Sequence, residues 1–129
     1  MLTFHLSPRT SMPAYLQLVE QVRQALLTGV LHPGDQLPTV KEVVGSLAIN
    51  PNTVLKAYRE LEHAGLVEGR QGIGTFALRR PEGPPPAAQA VLRRSLDRWV
   101  AKARLAGLDD ADMESLLRST LRAINEEVA

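Results

Sequence analysis

Two helix starts stand close together in this chain, and a helix-turn-helix is the simplest arrangement that satisfies both. Thr39 and Glu42 form T-x-x-E after Pro38, a capping box in which the hydroxyl takes a first-turn N–H and the carboxylate reaches back to the cap. Asn50 before Pro51 is an N-cap followed by the residue favoured at the first helical position. The first of these helices therefore runs only to about Leu47, with Val40, Val43, Val44 and Leu47 turned inward, and the second runs to Ala64 and stops at Gly65. Only a few residues remain for the turn between them. On the second helix Val54, Ala57, Tyr58 and Leu61 share one face, while Asn52, Lys56, Arg59 and His63 form a polar stripe on the other. In an isolated helix such a stripe is a solvated face. Behind a tight turn it becomes the outward side of a recognition helix.

The flanking segments complete a recognisable unit. Leu2, Phe4 and Leu6 alternate with Thr3 and His5, as in a half-buried strand or an extended arm. From Pro13 to Thr28, Tyr15, Leu18, Val19, Val22 and Leu26 fall at helical spacing, with Gly29 as the stop. Pro33-Gly34 makes a turn. After Gly65, L-V-E-G-R and T-F-A-L-R flank a Gly-bearing turn at Gln71 to Gly74, which spells a hairpin. Its G-x-G lacks the strand-before, helix-after setting of a phosphate-binding loop. The expected fold is mostly α with a small β-hairpin wing: a winged helix-turn-helix.

Composition excludes several classes. The 129 residues include no Cys, so neither a disulfide framework nor a thiolate metal site is available. His5, His32 and His63 share no ligand spacing, and no metal or other cofactor is expected. Asp35 beside His32 is explained by the Pro-Gly turn. Five aromatic residues, Phe4, Tyr15, Tyr58, Phe76 and Trp99, are too few for a row of base-stacking rings. No apolar run approaches the about 20 residues that span a bilayer, and no leader is legible at the start, so a cytoplasmic protein without a membrane partner is expected. No nucleophile set, acid pair or phosphate loop can be assembled, so the chain is not read as an enzyme. Net charge is +1, with eight Lys or Arg against six Asp or Glu in residues 1–80 and seven against eight in residues 81–129. Charge alone does not point to DNA.

Arg79 to Pro86, R-R-P-E-G-P-P-P, prevents helix and reads as a stiff linker. It divides the chain into a winged helix at 1–78, a linker at 79–86 and a two-helix arm at 87–129. In the arm, Ala88, Leu92, Leu96, Trp99, Val100 and Ala103 follow helical spacing up to Gly107. Asp109 then caps a second helix, with Asp112 at its third position and Met113 able to staple back on Leu108. Leu116, Leu117, Thr120, Leu121 and Ile124 continue its apolar stripe. Two such helices cannot bury both stripes in each other, so a partner copy is expected to meet Leu92, Leu96, Trp99, Val100, Ala103, Met113, Leu116, Leu117, Leu121 and Ile124. The competing arrangement folds the arm onto the first helix of its own chain.

The residues also carry a family resemblance. Tyr15 to Val43, Y-L-Q-L-V-E-Q-V-R-Q-A-L-L-T-G-V-L-H-P-G-D-Q-L-P-T-V-K-E-V, resembles the GntR family of bacterial transcription regulators, as do N-P-N-T-V-L-K-A-Y-R-E-L-E-H-A-G-L-V from Asn50 to Val67 and G-I-G-T-F from Gly72 to Phe76. The short C-terminal arm is similar to that of the YtrA subfamily, whose C-terminal helices serve dimerisation. The resemblance implies DNA contacts from Thr39 and Lys41, from Asn50, Asn52, Thr53, Lys56 and Arg59, and from Arg70, Gln71 and Gly72 at the wing. The pattern departs from the family in three places. Lys41 stands where members commonly carry Arg, and Pro51 and Leu55 stand where better-studied branches carry two base-reading arginines. The burden of readout moves to Asn52, which can pair with adenine, and to Thr53 and Lys56. The competing structural roles are support of the first turn for Thr53, pairing with Glu60 or Glu62 for Arg59, and a positive φ for Gly72.

The function so implied is that of a homodimeric, sequence-specific DNA-binding regulator, a repressor, on an inverted-repeat operator. Its rival is a winged-helix module that binds protein through the same polar face. An unidentified small-molecule effector is compatible with the apolar arm, with no residue marking its pocket.

Overall fold

The computed structural model describes residues 2–128, the side chains of 127 and 128 excepted, so the outermost residues of the expected first and last domains lie outside the described residues. Its elements are α1 (Ala14–Thr28), α2 (Val40–Leu47), α3 (Pro51–His63), β1 (Val67–Arg70), β2 (Gly74–Ala77), α4 (Pro86–Leu105) and α5 (Asp110–Val128). The order is that of a mostly helical winged helix-turn-helix followed by two helices. The chain separates into two compact units, one of residues 11–90 with the N-terminal arm up to Ser7, the other of residues 91 onward with Pro8–Thr10.

In the first unit the apolar spacing closes a core around α1 and α3. Leu18, Val22, Val54, Ala57 and Leu61 have no exposed surface, and Leu26, Leu31, Leu37, Val43, Leu66, Val67 and Ala77 complete the enclosure. The N-terminal residues form an extended arm and not a strand. Phe4 is buried, while the backbone of His5 bonds the Gln21 side chain in both directions, at 3.1 and 2.7 Å. The alternation of Leu2, Phe4 and Leu6 thus serves a pairing with helix side chains where a sheet would have used backbone.

The capping box forms as its sequence requires. Glu42 N–H donates to Thr39 Oγ1 at 3.1 Å and Thr39 N–H to Glu42 Oε1 at 3.4 Å. Asn50 Oδ1 accepts the Asn52 N–H at 2.8 Å, with Pro51 at the first position of α3. Between the two helices Ala48 closes α2 in the left-handed region at φ 54, a conformation that glycine more often supplies. The Tyr58 hydroxyl, on the buried face of α3, donates to the Pro38 carbonyl just ahead of α2. This bond fixes one end of α2 against α3.

Tyr58 also gives the fold an alkaline limit. Burial first, and the Glu42 carboxylate second, hold its phenol well above its ordinary value near 10. A folded pKa above the unfolded one adds stability that is complete below about pH 10 and is lost as pH rises further. Tyr58→Phe is expected to cost about 1–2 kcal/mol at neutral pH, by leaving the Pro38 carbonyl without its donor, and to flatten the alkaline slope. Urea titrations at pH 7 and pH 11 check both; an unchanged slope in the variant would exclude Tyr58 as its origin.

β1 and β2 pair antiparallel with Val67 opposite Ala77 and Arg70 opposite Gly74. The loop before α2 joins them: Gly34 N–H donates to the Ala77 carbonyl, Ala77 N–H to the Asp35 carbonyl and Leu37 N–H to the Thr75 carbonyl, with Gln36 bridging Phe76. The wing is therefore anchored beside the start of the helix-turn-helix.

The Pro-rich stretch departs from a free spacer in two ways. Pro86, expected to close the linker, opens α4 instead, since a fixed φ suits the first helical position. Ahead of it, Pro81 is buried and Arg80 donates to the carbonyls of Leu27, Gly83 and Pro84. Arg80 thus ties the segment to the end of α1. Arg79 does the same for α3, donating to the Ala64 and Gly65 carbonyls at 3.0 and 3.1 Å, where a cation also suits the negative end of the helix dipole.

In the second unit, Gly107 with φ 98 lies in the turn that follows α4, and Asp109 and Asp112 exchange backbone and side-chain hydrogen bonds at 2.8 and 3.1 Å. Ala103 and Met113, on either side of this turn, are buried. Along the rest of both helices the apolar stripe faces solvent: Leu92, Leu96, Trp99, Leu116, Leu117, Leu121 and Ile124 are all exposed, by 37–59%, and Val100 is half-buried. Among the described residues no helix is long and apolar enough to cross a membrane.

Candidate nucleic-acid interface

The outward side of α3 is built by the same periodicity that fills the core. With Val54, Ala57, Tyr58 and Leu61 drawn inward, Asn52, Lys56, Arg59 and His63 are left exposed and Thr53 half-buried. Among the described residues Lys41, Lys56 and Arg59 make no ion pair. The carboxylate offered by spacing to Arg59 is engaged elsewhere, since Glu62 Oε2 accepts the Gly69 N–H at 2.7 Å and ties α3 to β1. Lys56 meets an aromatic face: its Nζ lies 4.0 Å from the centre of the Tyr15 ring on α1. Tyr15, Asn50, Asn52, Thr53 and Lys56 line one shallow groove with Pro13 and Ala14.

The remaining candidates divide into engaged and open groups. Thr39 Oγ1 is committed to the capping box, accepting from Glu42 N–H and donating to Glu42 Oε1, and the Asn50 carbonyl oxygen is committed to the α3 cap. Lys41 is exposed on α2. Arg70 pairs with Glu68 at 3.6 Å and stacks its guanidinium 4.4 Å over Phe76, so its charge is partly neutralised. Gln71 and Gly72 are exposed at the tip. Gly72 has φ 76 and nothing near the place a Cβ would occupy, which fits the backbone reason for glycine as well as the contact reason.

Sequence reasoning missed Tyr15 as part of this surface, because its helical spacing marked it as core. It also missed Gln36, whose side-chain amide donates to the Ile73 carbonyl at 3.2 Å and so braces the wing tip. The brace leaves no room at Gly74: with φ 142, a Cβ there would stand 2.4 Å from Gln36 Nε2. Gly74→Ala is expected to destabilise the fold by about 1–3 kcal/mol through this strained backbone and displaced amide. Thermal unfolding measures it; an unchanged midpoint would show that the wing adjusts freely.

An exposed helix face carrying one amide, two cations and a hydroxyl has the side chains that can bond base edges and phosphates in a DNA major groove, which admits an α-helix. Comparison with known proteins identifies the family. The sequence profile of the bacterial regulatory proteins of the gntR family matches residues 14–77. The HTH-type transcriptional regulator YhcF of Bacillus subtilis is 35% identical over 105 residues, covering 81% of this chain and 87% of that protein. This chain belongs to the GntR family. The HTH-type transcriptional repressor YtrA of Bacillus subtilis is 45% identical over 71 residues, 55% of either chain, so the matched stretch spans about half of that relative. The DNA-binding domain of AraR, solved in complex with operator ORX1, superposes with a TM-score of 0.50 at 28% identity, over 60% of this chain and 92% of that one. Pro51 and Leu55, the two positions where the resemblance sets arginines of better-studied branches against this sequence, are both exposed, Pro51 at the first position of α3 and Leu55 by 37%.

Proposed function

We propose that this chain is a transcriptional repressor that binds an inverted-repeat operator as a homodimer. Its winged helix (1–78) reads DNA, its Pro-rich segment (79–86) leads out of that domain, and its helical arm (87–129) joins two copies. The observation that carries the reading is the two-sided α3: one face closes the core, while the other presents Asn52, Lys56 and Arg59 to solvent without a carboxylate partner among the described residues. GntR membership and the operator complex of AraR support it. In the proposed complex the start of α3 enters the major groove, with Asn52 on a base, Thr53 and Lys56 on a base or phosphate, and Arg59 on the backbone. Asn50, Thr39 and Lys41 lie beside the phosphates, and Arg70, Gln71 and Gly72 approach the neighbouring groove. The protein acts in the cytoplasm, and any effector would be a small molecule held by the arm.

The test is a selection of random duplexes by the purified protein at about 150 mM salt, where screening length is near its physiological value. An enriched inverted repeat, with half-sites about one helical turn apart, is expected. A bound pool without sequence preference would reject the reading and favour a protein-binding winged helix.

A further inference from the structure

Resting on the DNA-binding reading above, we propose that Tyr15 of α1 is a positioning residue for recognition: its ring holds the Lys56 ammonium at the DNA-facing surface without cancelling its charge. Lys56 sits one turn before Glu60 on α3, the spacing at which a Lys–Glu pair forms. No such pair is made; Nζ rests 4.0 Å from the Tyr15 ring centre. The difference matters for an anionic partner. A carboxylate would order the long side chain but neutralise it, whereas an aromatic face orders it through its quadrupole and leaves the full positive charge for a phosphate or a guanine edge. The ring is itself half-buried on α1, and it lines the groove shared by Asn50, Asn52 and Thr53, so the ordered ammonium stands among the residues proposed to meet the base pairs.

Tyr15 thus couples the packing of α1 on α3 to readout. In a chain of net charge +1, one preordered cation is a large part of what the surface can offer, and its freedom in the unbound state would otherwise have to be lost on binding.

The proposal is tested with the duplex enriched by the selection, using Tyr15→Leu, Tyr15→Phe, Lys56→Ala and the Tyr15→Leu/Lys56→Ala double variant. Tyr15→Leu is expected to weaken binding about two- to five-fold, the range of an exposed cation–π contact, while the salt slope of binding stays that of the wild type because Lys56 still meets DNA. Tyr15→Phe restores affinity, and Tyr15→Leu adds nothing in the Lys56→Ala background. Independently of DNA, the Lys56 ε-methylene protons are expected at ring-current-shifted positions that Tyr15→Leu abolishes. Equal losses in Leu and Phe variants would assign the effect to the hydroxyl and overturn the inference, as would additive losses in the double variant. If the ring-current shift is present but the wild type prefers no sequence, the DNA-binding reading falls and this role falls with it. If the wild type binds and Tyr15→Leu binds equally, only this inference fails.

Discussion

In the proposed homodimer, Leu92→Asp with Leu96→Asp is expected to separate the two copies and to lower operator affinity by about two to four powers of ten. The physical reason lies in the arm. Leu92 and Leu96 are 59% and 48% exposed on α4, and Leu116, Leu117, Leu121 and Ile124 on α5 are 44–52% exposed. A contiguous apolar stripe of that length is the kind of surface that marks an interaction site, and in the proposed two-fold dimer the same stripe of a second copy would cover it. A charge placed in each copy at a two-fold contact faces its own image in a desolvated setting. Because both side chains are exposed in the single chain, their replacement leaves the winged helix folded. The affinity loss follows from effective concentration: once one domain is bound, a tethered second domain binds as an intramolecular event, a gain of about 10²–10⁴ that a monomer lacks. Trp99, the sole tryptophan and 37% exposed, is retained as a probe, with emission moving to the red as the dimer separates. Sedimentation equilibrium and operator titration complete the measurement. A double variant that remains dimeric would remove the arm from the interface, and a monomer that binds as tightly as the wild type would remove dimerisation from recognition.

The second large effect is expected on α3. Asn52→Ala should weaken operator binding by about 1–3 kcal/mol, the worth of a bidentate side-chain contact with a base, and should relax preference at one position of each half-site. Lys56→Ala is expected to differ in kind. If Lys56 meets a phosphate, all sequences weaken alike and the logarithmic salt slope falls by about 0.9 for each phosphate that is no longer neutralised. If it reads guanine, the loss is confined to one base position. Both side chains are exposed and neither is part of the core, so the circular dichroism and unfolding midpoint should be those of the wild type. Fluorescence anisotropy on the operator and on single-base variants separates these outcomes. Intact operator binding in both variants would point to a different surface, the protein-binding alternative included.

Which residues form helices, and which faces α2 and α3 bury, was legible in the order of residues because those properties are local. The capping box at Thr39 and Glu42, the Asn50-Pro51 start and the buried set Val54, Ala57, Tyr58 and Leu61 all appear as expected. Each depends on contacts within one helix or on a 3.6-residue period that apolar spacing displays directly. The resemblance supplied the GntR family, which the sequence profile and the relatives establish.

What only the tertiary structure decided concerns side chains whose partners are distant in sequence. Arg79 and Arg80, two of the eight cations in the first eighty residues, bind helix-end carbonyls of α3 and α1, and Arg70 lies over Phe76 beside Glu68. Counting charges could not have distinguished them from Lys41, Lys56 and Arg59, because a cation's partner is set by which carbonyl or ring the fold brings near. Tyr15 shows the same limit in the other direction. Its spacing marked an inward-facing aromatic residue, but only the packing of α1 against α3 places its ring under Lys56. The order of residues determined the elements and the apolar stripe of each helix through local hydrogen bonding and periodicity, whereas packing, which alone brings residues far apart in the chain within a few ångströms, decided which cations of the described winged helix are left without a carboxylate.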